Sequence, residues 1–312
     1  ANAMLSDGKY KYSESVSSNV VDSSGKAIAV GTAIQDTDMG SMFVWIPRYA
    51  YAITSNYHNS GREISGTVKI AFLEGTKTYN TGSKINYTYQ GTSGTVTLSN
   101  KTGQGNWNEH PAFNFGGKII SGIWVAKYET SYSNAGTDVD HIGLGNIKIQ
   151  PNVISIREFT VDSAFLKCQE LNSASKASVY GISSNKNIID PHLMKNSEWG
   201  AVAYLTQSSY GRNGNEIAIN SSYITGQSGG TPDAGGYPIY EYITPEGQKA
   251  STTGNVSGIY DMNGGLYEYV AAYVEGDSQL NIYSTLKGAD SKYKDVYTRG
   301  SEDEKGGDSL HE

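Results

Sequence analysis

The chain has 312 residues, of which 37% are hydrophobic and 18% charged, and its formal net charge is −7. This length allows a substantial core, and the abundance of Gly, Tyr and small polar residues is typical of short strands joined by many turns. The acidic balance, without a basic run, excludes nucleic acid as a partner, and no apolar run approaches the roughly 18 residues of a membrane span.

The two ends of the chain differ in composition from the part between them. Residues 1–40 are polar and weakly periodic, and 301–312 are charged. We therefore expect a loosely attached lead-in and a solvated tail around a single domain at 41–300. The opening residues ANAM resemble the remnant of a cleaved tag, so an anchor could precede Met4 in the natural protein.

Two early strands are predicted on either side of a break. Residues 42–46 (MFVWI) are apolar and rich in β-formers, and 49–53 (YAYAI) resume the pattern. Pro47 and Arg48 separate them, and proline donates no hydrogen bond to a sheet ladder. We predict two strand pieces with a kink between them.

A hairpin and a central strand follow along the chain. Residues 85–89 and 95–98 alternate in polarity around the turn residues 91–94, which predicts an exposed hairpin inserted near 78–100. Residues 119–130 (IISGIWVAKYET) predict a strand that is buried on one or both faces and lies at the centre of the sheet.

Two long helices are predicted. At 160–171, apolar residues recur at steps of four and three behind Thr160, which is an acceptable N-cap. At 196–207, either Asn196 or Ser197 can cap a helix whose apolar residues lie mostly on one face.

These elements predict an α+β fold, in which both helices pack on a twisted, mainly antiparallel sheet with long loops. Residues 213–250 are rich in Gly, Ser, Thr, Pro and Tyr and are too long for an ordinary connection, which predicts a functional or surface loop region. The residues expected in or near the core are Trp124, Trp199, Tyr260, Met262 and Tyr269.

One segment matches a catalytic pattern. Residues 226–230 (GQSGG) have the G-x-S-x-G spacing of a nucleophile elbow around Ser228. That motif needs a strand before the serine and a helix after it, and neither is predicted there. A flexible loop is therefore favoured over a nucleophile, and we predict no catalytic residue.

Candidate metal ligands are scattered. None of the five histidines has the i, i+4 spacing of helical ligands; they are His58, His110, His141, His192 and His311. Two pairs, Asp138 with Asp140 and Asp261 with Asn263, offer oxygen ligands to calcium. The Gly and terminal Glu of a calcium-loop signature are missing, so ordinary Asx turns are favoured at both places.

Cysteine and tyrosine usage limits other chemistry. Cys168 is the only cysteine, which excludes an internal disulfide and a multi-thiolate zinc site. Its place on the apolar stripe of a predicted helix favours a buried packing residue over a nucleophile. The many tyrosines fit either a rigid contact surface for a ligand or an ordinary sheet surface, and composition leaves both open.

Three segments together resemble one protein family: residues 122–131 (GIWVAKYETS), 196–203 (NSEWGAVA) and 258–270 (GIYDMNGGLYEYV). They are similar to the formylglycine-generating, sulfatase-modifying-factor branch of the C-type lectin-like fold, whose last block reads Gly-Leu-Tyr-Asp-Met-x-Gly-Asn-x-Trp-Glu-Trp. The likeness spans about 43–270. Residues 43–49, 110–113 and 210–216 resemble a narrower group from bacteria and their phages, which includes pilin-like proteins and receptor-binding proteins diversified by retroelements.

The sequence departs from this family at positions that carry chemistry. Catalytic members bind copper through two cysteines, whereas this chain has Cys168 alone, so the resemblance implies no such oxidase activity. The family has a calcium-site Asn where this chain has Gly265, which leaves Glu268 as the matched candidate metal ligand and calcium as the candidate cofactor. The family's closing Arg-Gly-Gly and Phe-Arg segments are not found before Glu312, so the ligand-binding face is not assigned.

The resemblance implies a non-catalytic binding or adhesion module that recognises an extracellular protein or glycan ligand through loops, at the cell surface or outside the cell. Two alternatives stay open. An enzyme of the same fold with another activity predicts a bound metal or clustered residues of perturbed pKa in a central cleft. A structural pilus or phage-tail subunit predicts ordered head-to-tail contacts in filaments.

Overall fold

A computed structural model of the chain describes residues 2–4, 10–12, 28–34, 40–57, 66–89, 91–132, 145–229, 239–275 and 284–298. The strands of this part are β1 (Asn2–Met4), β2 (Tyr10–Tyr12), β3 (Phe43–Pro47), β4 (Tyr49–Ser55), β5 (Thr67–Phe72), β6 (Lys84–Tyr89), β7 (Thr92–Thr97), β8 (Asn108–Glu109), β9 (Asn114–Phe115), β10 (Lys118–Ile119), β11 (Gly122–Ala126), β12 (Ser131–Tyr132), β13 (Ile147–Lys148), β14 (Gln227–Gly229), β15 (Ile239–Glu241), β16 (Ala272–Glu275) and β17 (Asp295–Thr298). The α-helices are α1 (Val161–Gln169), α2 (Ala177–Tyr180), α3 (Asn196–Gln207) and α4 (Ser284–Gly288).

The fold is mixed α+β, as predicted, but its strands form many small sheets. Among the described residues, β4 lies between β5 and β8, and the other strands pair two by two. These pairs are antiparallel except β16 with β17. The strands are two to seven residues long, so turns interrupt each ladder before a broad sheet can form. The prediction of one twisted sheet under both helices is not met in this part of the chain.

The break predicted near Pro47 is confirmed, and Arg48 holds the two strand pieces in place. β3 ends at Pro47 and β4 begins at Tyr49. The Arg48 guanidinium is fully buried and donates to the carbonyls of Gly75 and Lys77, at 3.0 and 2.8 Å, and to the Glu109 carboxylate at 2.6 Å. A buried charge needs such partners, because its desolvation is otherwise uncompensated.

The hairpin predicted near 78–100 forms, with a shorter turn than expected. Tyr89 pairs with Thr92, so the predicted loop residues 92–94 belong to β7. One face of the hairpin is buried, because Ile85 and Leu98 pack in a cluster with Leu73. The prediction of an exposed excursion is therefore wrong for this face.

The helix predicted at 160–171 is confirmed as α1, followed by a 3-10 turn at Glu170–Asn172. The Thr160 hydroxyl accepts a hydrogen bond from the Ser163 N–H at 3.2 Å, as an N-cap does. α1 packs through Phe165 against Leu286 and Tyr293 near the C-terminus.

α3 has the predicted bounds, Asn196–Gln207, but different capping residues. Neither Asn196 nor Ser197 caps it through a side chain. Instead, the Glu198 carboxylate accepts from the Lys195 N–H at 2.9 Å, and Asp295 accepts from the Ser197 N–H at 2.7 Å. The capping acceptor Asp295 lies 98 residues away in sequence, so no local pattern could indicate it.

The main core lies between α3 and the strands that follow residue 43. Its buried members include Ile46, Tyr49, Ile70, Val125, Ala201, Val202 and Ile259. Of the five predicted core residues, Tyr260 is 1% exposed, while Trp199 and Met262 are partly buried. The prediction is wrong for Trp124 and Tyr269, which are 67% and 43% exposed.

The exposure of Trp124 follows from the pairing of its strand. β11 extends over Gly122–Ala126 and, within the described residues, pairs with β3 in a two-stranded ribbon. Successive side chains of a strand point to opposite faces, so burying Val125 turns Trp124 outward. The prediction of a strand buried on one or both faces is therefore confirmed for one face, whereas its predicted place at the centre of the sheet is wrong for the described residues.

The described part of 213–250 is more ordered and more buried than a surface loop. β14 pairs with β15, and the polar residues Asn220, Thr225 and Ser228 are buried. The predicted tail at 301–312 and much of the lead-in at 1–40 lie outside the described residues. Across the ranges that the structure describes, none of the helices combines the length and apolarity that a membrane crossing requires.

Candidate functional site

A wide, open groove of about 1480 Å³ runs along the outer face of the β3/β11 ribbon. Trp45 and Trp124 lie directly opposite each other in the two strands, with ring centroids 5.2 Å apart and an interplanar angle of 56°. A β-carbon at position 122 would collide with the Trp45 ring, so Gly122 makes room for the indole. The ribbon thus presents a paired aromatic surface to the groove.

A further wall of the groove comes from the second half of the family-like block. Tyr267 and Tyr269 line it and are 94% and 43% exposed, and the Tyr269 ring lies 5.4 Å from that of Phe159. The Trp199 indole N–H donates to the Glu268 carboxylate at 2.6 Å, so α3 holds this wall in position. The groove is therefore aromatic on two sides.

The first half of the block, by contrast, is buried beside the end of β11. The Tyr260 N–H donates to the Lys127 carbonyl at 2.8 Å, and the Lys127 ammonium donates to the Gly258 carbonyl at 3.1 Å. Burial lowers the pKa of Lys127 to about 8. These bonds place Asp261 alongside Glu129, although 132 residues separate them in sequence.

Asp261 is a buried carboxylate surrounded by donors. It accepts from the Asn220 amide at 2.9 Å and from the N–H groups of Gly226 and Glu129 at 3.0 and 3.3 Å. Burial raises the pKa of Asp261 to about 6, against the effect of these hydrogen bonds, which favour the charged form. Its backbone is left-handed, with φ of 65°, where aspartate is tolerated better than most residues. The predicted local Asx turn is replaced by these long-range bonds.

Glu129 lies next to Asp261 and borders the groove. Its carboxylate accepts from the Leu266 N–H at 2.7 Å and from the Ser155 hydroxyl. Burial, and then the neighbouring charge of Asp261, raise the pKa of Glu129 to about 8. At neutral pH this side chain therefore holds a proton.

Glu268 completes a group of three acidic side chains with raised pKa values. Surrounding protein, and then the charge of Asp261, raise the pKa of Glu268 to about 7, although the Trp199 hydrogen bond opposes the rise. The side chain is nevertheless exposed to the open groove. Because water reaches the Glu268 carboxylate there, we expect its pKa to rise less than the pKa of Glu129 does.

The group offers few free oxygens to a calcium ion. All four carboxylate oxygens of Glu129 and Asp261 already accept hydrogen bonds from the chain, whereas calcium takes six to eight oxygen ligands. Across the described ranges, no three His, Cys, Asp or Glu side chains are grouped as ligands of one metal. The calcium ligand at Glu268 stays a prediction, and Asp138 and Asp140 lie outside the described residues.

The two described histidines are structural rather than paired as ligands. His110 is buried, its Nδ1 accepts from the Ala112 N–H at 3.3 Å, and burial lowers its pKa to about 3. The His192 ring lies 3.1 Å from the Glu198 carboxylate. The other predicted candidates, His58, His141 and His311, fall outside the described residues.

Neither nucleophile candidate has the setting its chemistry needs. Ser228 lies inside β14, opposite Tyr240 of β15, so it stands neither on a strand-to-helix turn nor in the predicted flexible loop. Burial raises the pKa of Cys168 to about 12, which disfavours the reactive thiolate.

Sequence reasoning named two of the three acidic residues but did not bring them together, and it missed Glu129. It named Asp261 and Glu268 separately, and it treated Glu129 as the end of a strand. A charged Lys-x-Glu pair directly after an apolar strand, at Lys127 and Glu129, was the available signal, because such residues are buried only with partners. Nothing local could indicate Ser155 as one of those partners.

Comparison with known proteins gives no relative from which a function could be transferred. No family model matches the chain. No curated protein matches it, and no solved structure does. The functional interpretation therefore rests on the geometry of the groove and on the resemblance of the segments that form it.

Proposed function

We propose that this chain is a non-catalytic, surface-displayed binding module that holds an extracellular protein or glycan ligand in the groove beside β3 and β11. The single observation that carries the proposal is the pair of exposed indoles, Trp45 and Trp124, on the groove floor. Soluble proteins seldom expose contiguous aromatic surface without a partner for it. The family-like segments, which line the groove, support a lectin-like fold for the module.

Three physical features favour binding over chemistry. The indoles are held by cross-strand packing, so little conformational entropy is lost when a ligand covers them. Concave sites with apolar walls and a few polar groups are the usual form of ligand pockets. The resemblance supplies no catalytic pair, because the chain has Cys168 alone where the copper enzymes have two cysteines.

The proposal is tested by screening the purified full chain against protein and glycan arrays, with Trp124→Ala as the groove variant. Trp124 is largely exposed, so this variant should keep the fold, which circular dichroism verifies. We expect at least one ligand at micromolar concentration whose signal is lost in the variant. A chain that binds nothing on either array would contradict the proposal.

One observation favours a second candidate, an enzyme using acid–base chemistry in the same groove. Glu129 and Glu268 both line the groove, and both pKa values lie near neutrality, where carboxyl groups can donate and accept protons. A binding module leaves its ligand unchanged, whereas an enzyme converts it to a product. Incubating a bound ligand with the chain, and with Glu268→Gln as the matched variant, distinguishes them, because release of a product that depends on Glu268 supports the enzyme.

A further inference from the structure

The outer face of the β3/β11 ribbon carries a platform of aromatic side chains. Val44 and Ile46 of β3 pack toward the core, so the alternating residues Phe43 and Trp45 face the groove. Trp124 stands opposite Trp45 on the same face. All three rings are exposed, and their faces offer apolar contact without a hydrogen-bonding requirement.

The size of the groove suits a slender ligand. A groove of about 1480 Å³ accommodates a short chain-like molecule along the ribbon. The two indole rings offer a ligand stacking surface without backbone donors or acceptors. A sugar ring needs none, because its C–H face stacks on an aromatic ring while its hydroxyl groups point to the sides.

Polar groups suited to hydroxyls line the same groove. The Trp199 indole N–H bonds to Oε2 of Glu268, and within the described residues Oε1 receives no hydrogen bond. The amide of Asn187 also borders the space. Such groups donate or accept according to the partner, as hydroxyl groups require.

The charges around the groove favour an anionic ligand. Five lysines line it, together with the acidic residues Glu129, Asp190, Glu198 and Glu268. Asp190 and Glu198 are held in ion pairs, so they add no unpaired charge. Three of the lysines, Lys167, Lys186 and Lys292, form ion pairs with acidic neighbours. Lys118 and Lys148 form no ion pair with any residue that the structure describes, so their ammonium groups are available to a ligand.

These two lysines stand at opposite ends of the platform. Lys148 precedes Ile149, whose carbonyl accepts from the Met42 N–H at 2.9 Å next to Phe43. Lys118 lies four residues before Gly122, which pairs with Pro47 at the other end of the ribbon. A five-residue strand spans about 13 Å. The platform therefore has the length of a short oligosaccharide and a cation at each end.

Building on the proposed function, we infer that the groove binds an acidic oligosaccharide. Its sugar rings stack on Trp45 and Trp124, and its anionic groups pair with Lys118 and Lys148. The electrostatic attraction between these exposed charges is screened by salt, so affinity should fall as ionic strength rises.

Calorimetric titration of the full chain tests the inference with short uronate, sialylated and sulfated oligosaccharides and with their carboxyl-reduced or desulfated counterparts. We expect at least one acidic member to bind about tenfold more tightly than its neutral counterpart. Trp124→Ala should weaken that binding about tenfold, because a ring loses its stacking partner. Lys118→Ala and Lys148→Ala should each weaken it and reduce its salt dependence.

Lys69→Ala serves as the matched control, since Lys69 is exposed on β5 and lies outside the groove. It should leave affinity and salt dependence unchanged. Equal binding of acidic and neutral sugars, or no binding of any acidic sugar at millimolar concentration, overturns the inference. If no acidic sugar binds but a protein ligand does, and its binding depends on Trp124, the inference is wrong and the proposed function stands. If no ligand binds on the protein or glycan arrays either, the proposed function is wrong as well.

Discussion

The Nε2 atom of His192 lies 3.1 Å from both carboxylate oxygens of Glu198, while its Nδ1 lies 2.8 Å from the Asp190 carbonyl. A carbonyl accepts only, so Nδ1 must carry a hydrogen, and Nε2 then shares a proton with the carboxylate. The hydrogen bond between His192 and Glu198 is lost if that proton dissociates. This hydrogen bond joins the start of α3 to the segment that precedes the helix. Glu198 also accepts from the Lys195 N–H there.

This pair predicts a pH-dependent contribution to stability. The charge and hydrogen bond of Glu198 raise the pKa of His192 above 6.5, although burial, the largest single effect, acts in the opposite direction. The stabilisation is complete below about pH 6.5 and is lost as pH rises through the folded-state pKa. We expect His192→Gln to lower the free energy of unfolding by about 3 kcal/mol at pH 6 and by less at pH 9. Urea denaturation at both values measures this, and an equal loss at the two values would contradict it.

Glu129 predicts the same sign over a lower pH range. Burial raises the pKa of Glu129 from 4.5 to about 8, so the folded state keeps a proton that the unfolded state releases between these values. The free energy of unfolding therefore falls as pH rises from about 4.5 to 8, by at most about 1.4 kcal/mol per pH unit.

Glu129→Gln should flatten this profile, because an amide does not ionise in that range. Asp261, whose pKa burial raises to about 6, keeps part of the slope. Urea denaturation between pH 5 and 8 provides the measurement. Glu74→Gln, at an exposed position, is the matched control and should leave the slope unchanged. An unaltered slope in Glu129→Gln would count against the buried, protonated carboxyl.

Gly264 is predicted to be the most sensitive glycine of the family-like block. Its φ is +93°, and an added β-carbon would collide with the backbone of Asn220, whose N–H donates to the Asn263 carbonyl at 2.9 Å. We expect Gly264→Ala to lower the free energy of unfolding by about 2–4 kcal/mol. Gly91→Ala, with φ of +77° but open space around it, should cost only about 1 kcal/mol. Thermal denaturation of both variants checks the difference, and equal losses would show that the contact with Asn220 is unimportant.

The two faces of the β3/β11 ribbon predict contrasting effects of truncation. Ile46 is buried in the main core, so Ile46→Ala should lower the free energy of unfolding by about 2–5 kcal/mol. Trp124→Ala removes a larger side chain but should cost only about 1 kcal/mol, because the indole is mostly exposed. Chemical denaturation compares them. A larger loss for Trp124→Ala would place the tryptophan in the core.

Local elements were predictable from the sequence where short-range physics decides them. The strand break at Pro47 follows from a missing donor, and the bounds of α3 follow from an apolar face that ends before Gly211. The Thr160 cap was also visible, because its partner Ser163 lies within the same turn.

The sequence by itself thus determined the α+β class, both long helices, the early strands and the hairpin, because each depends on periodicity, caps and turns among near neighbours. Only the tertiary structure decided that Trp124 faces a groove, because an alternating strand can turn either face to the core until it is paired. It also decided that Glu129 meets Ser155 and Asp261 in a buried carboxyl group. Those contacts join residues 26 and 132 positions apart, and burial by distant segments, which no local pattern records, sets their pKa values.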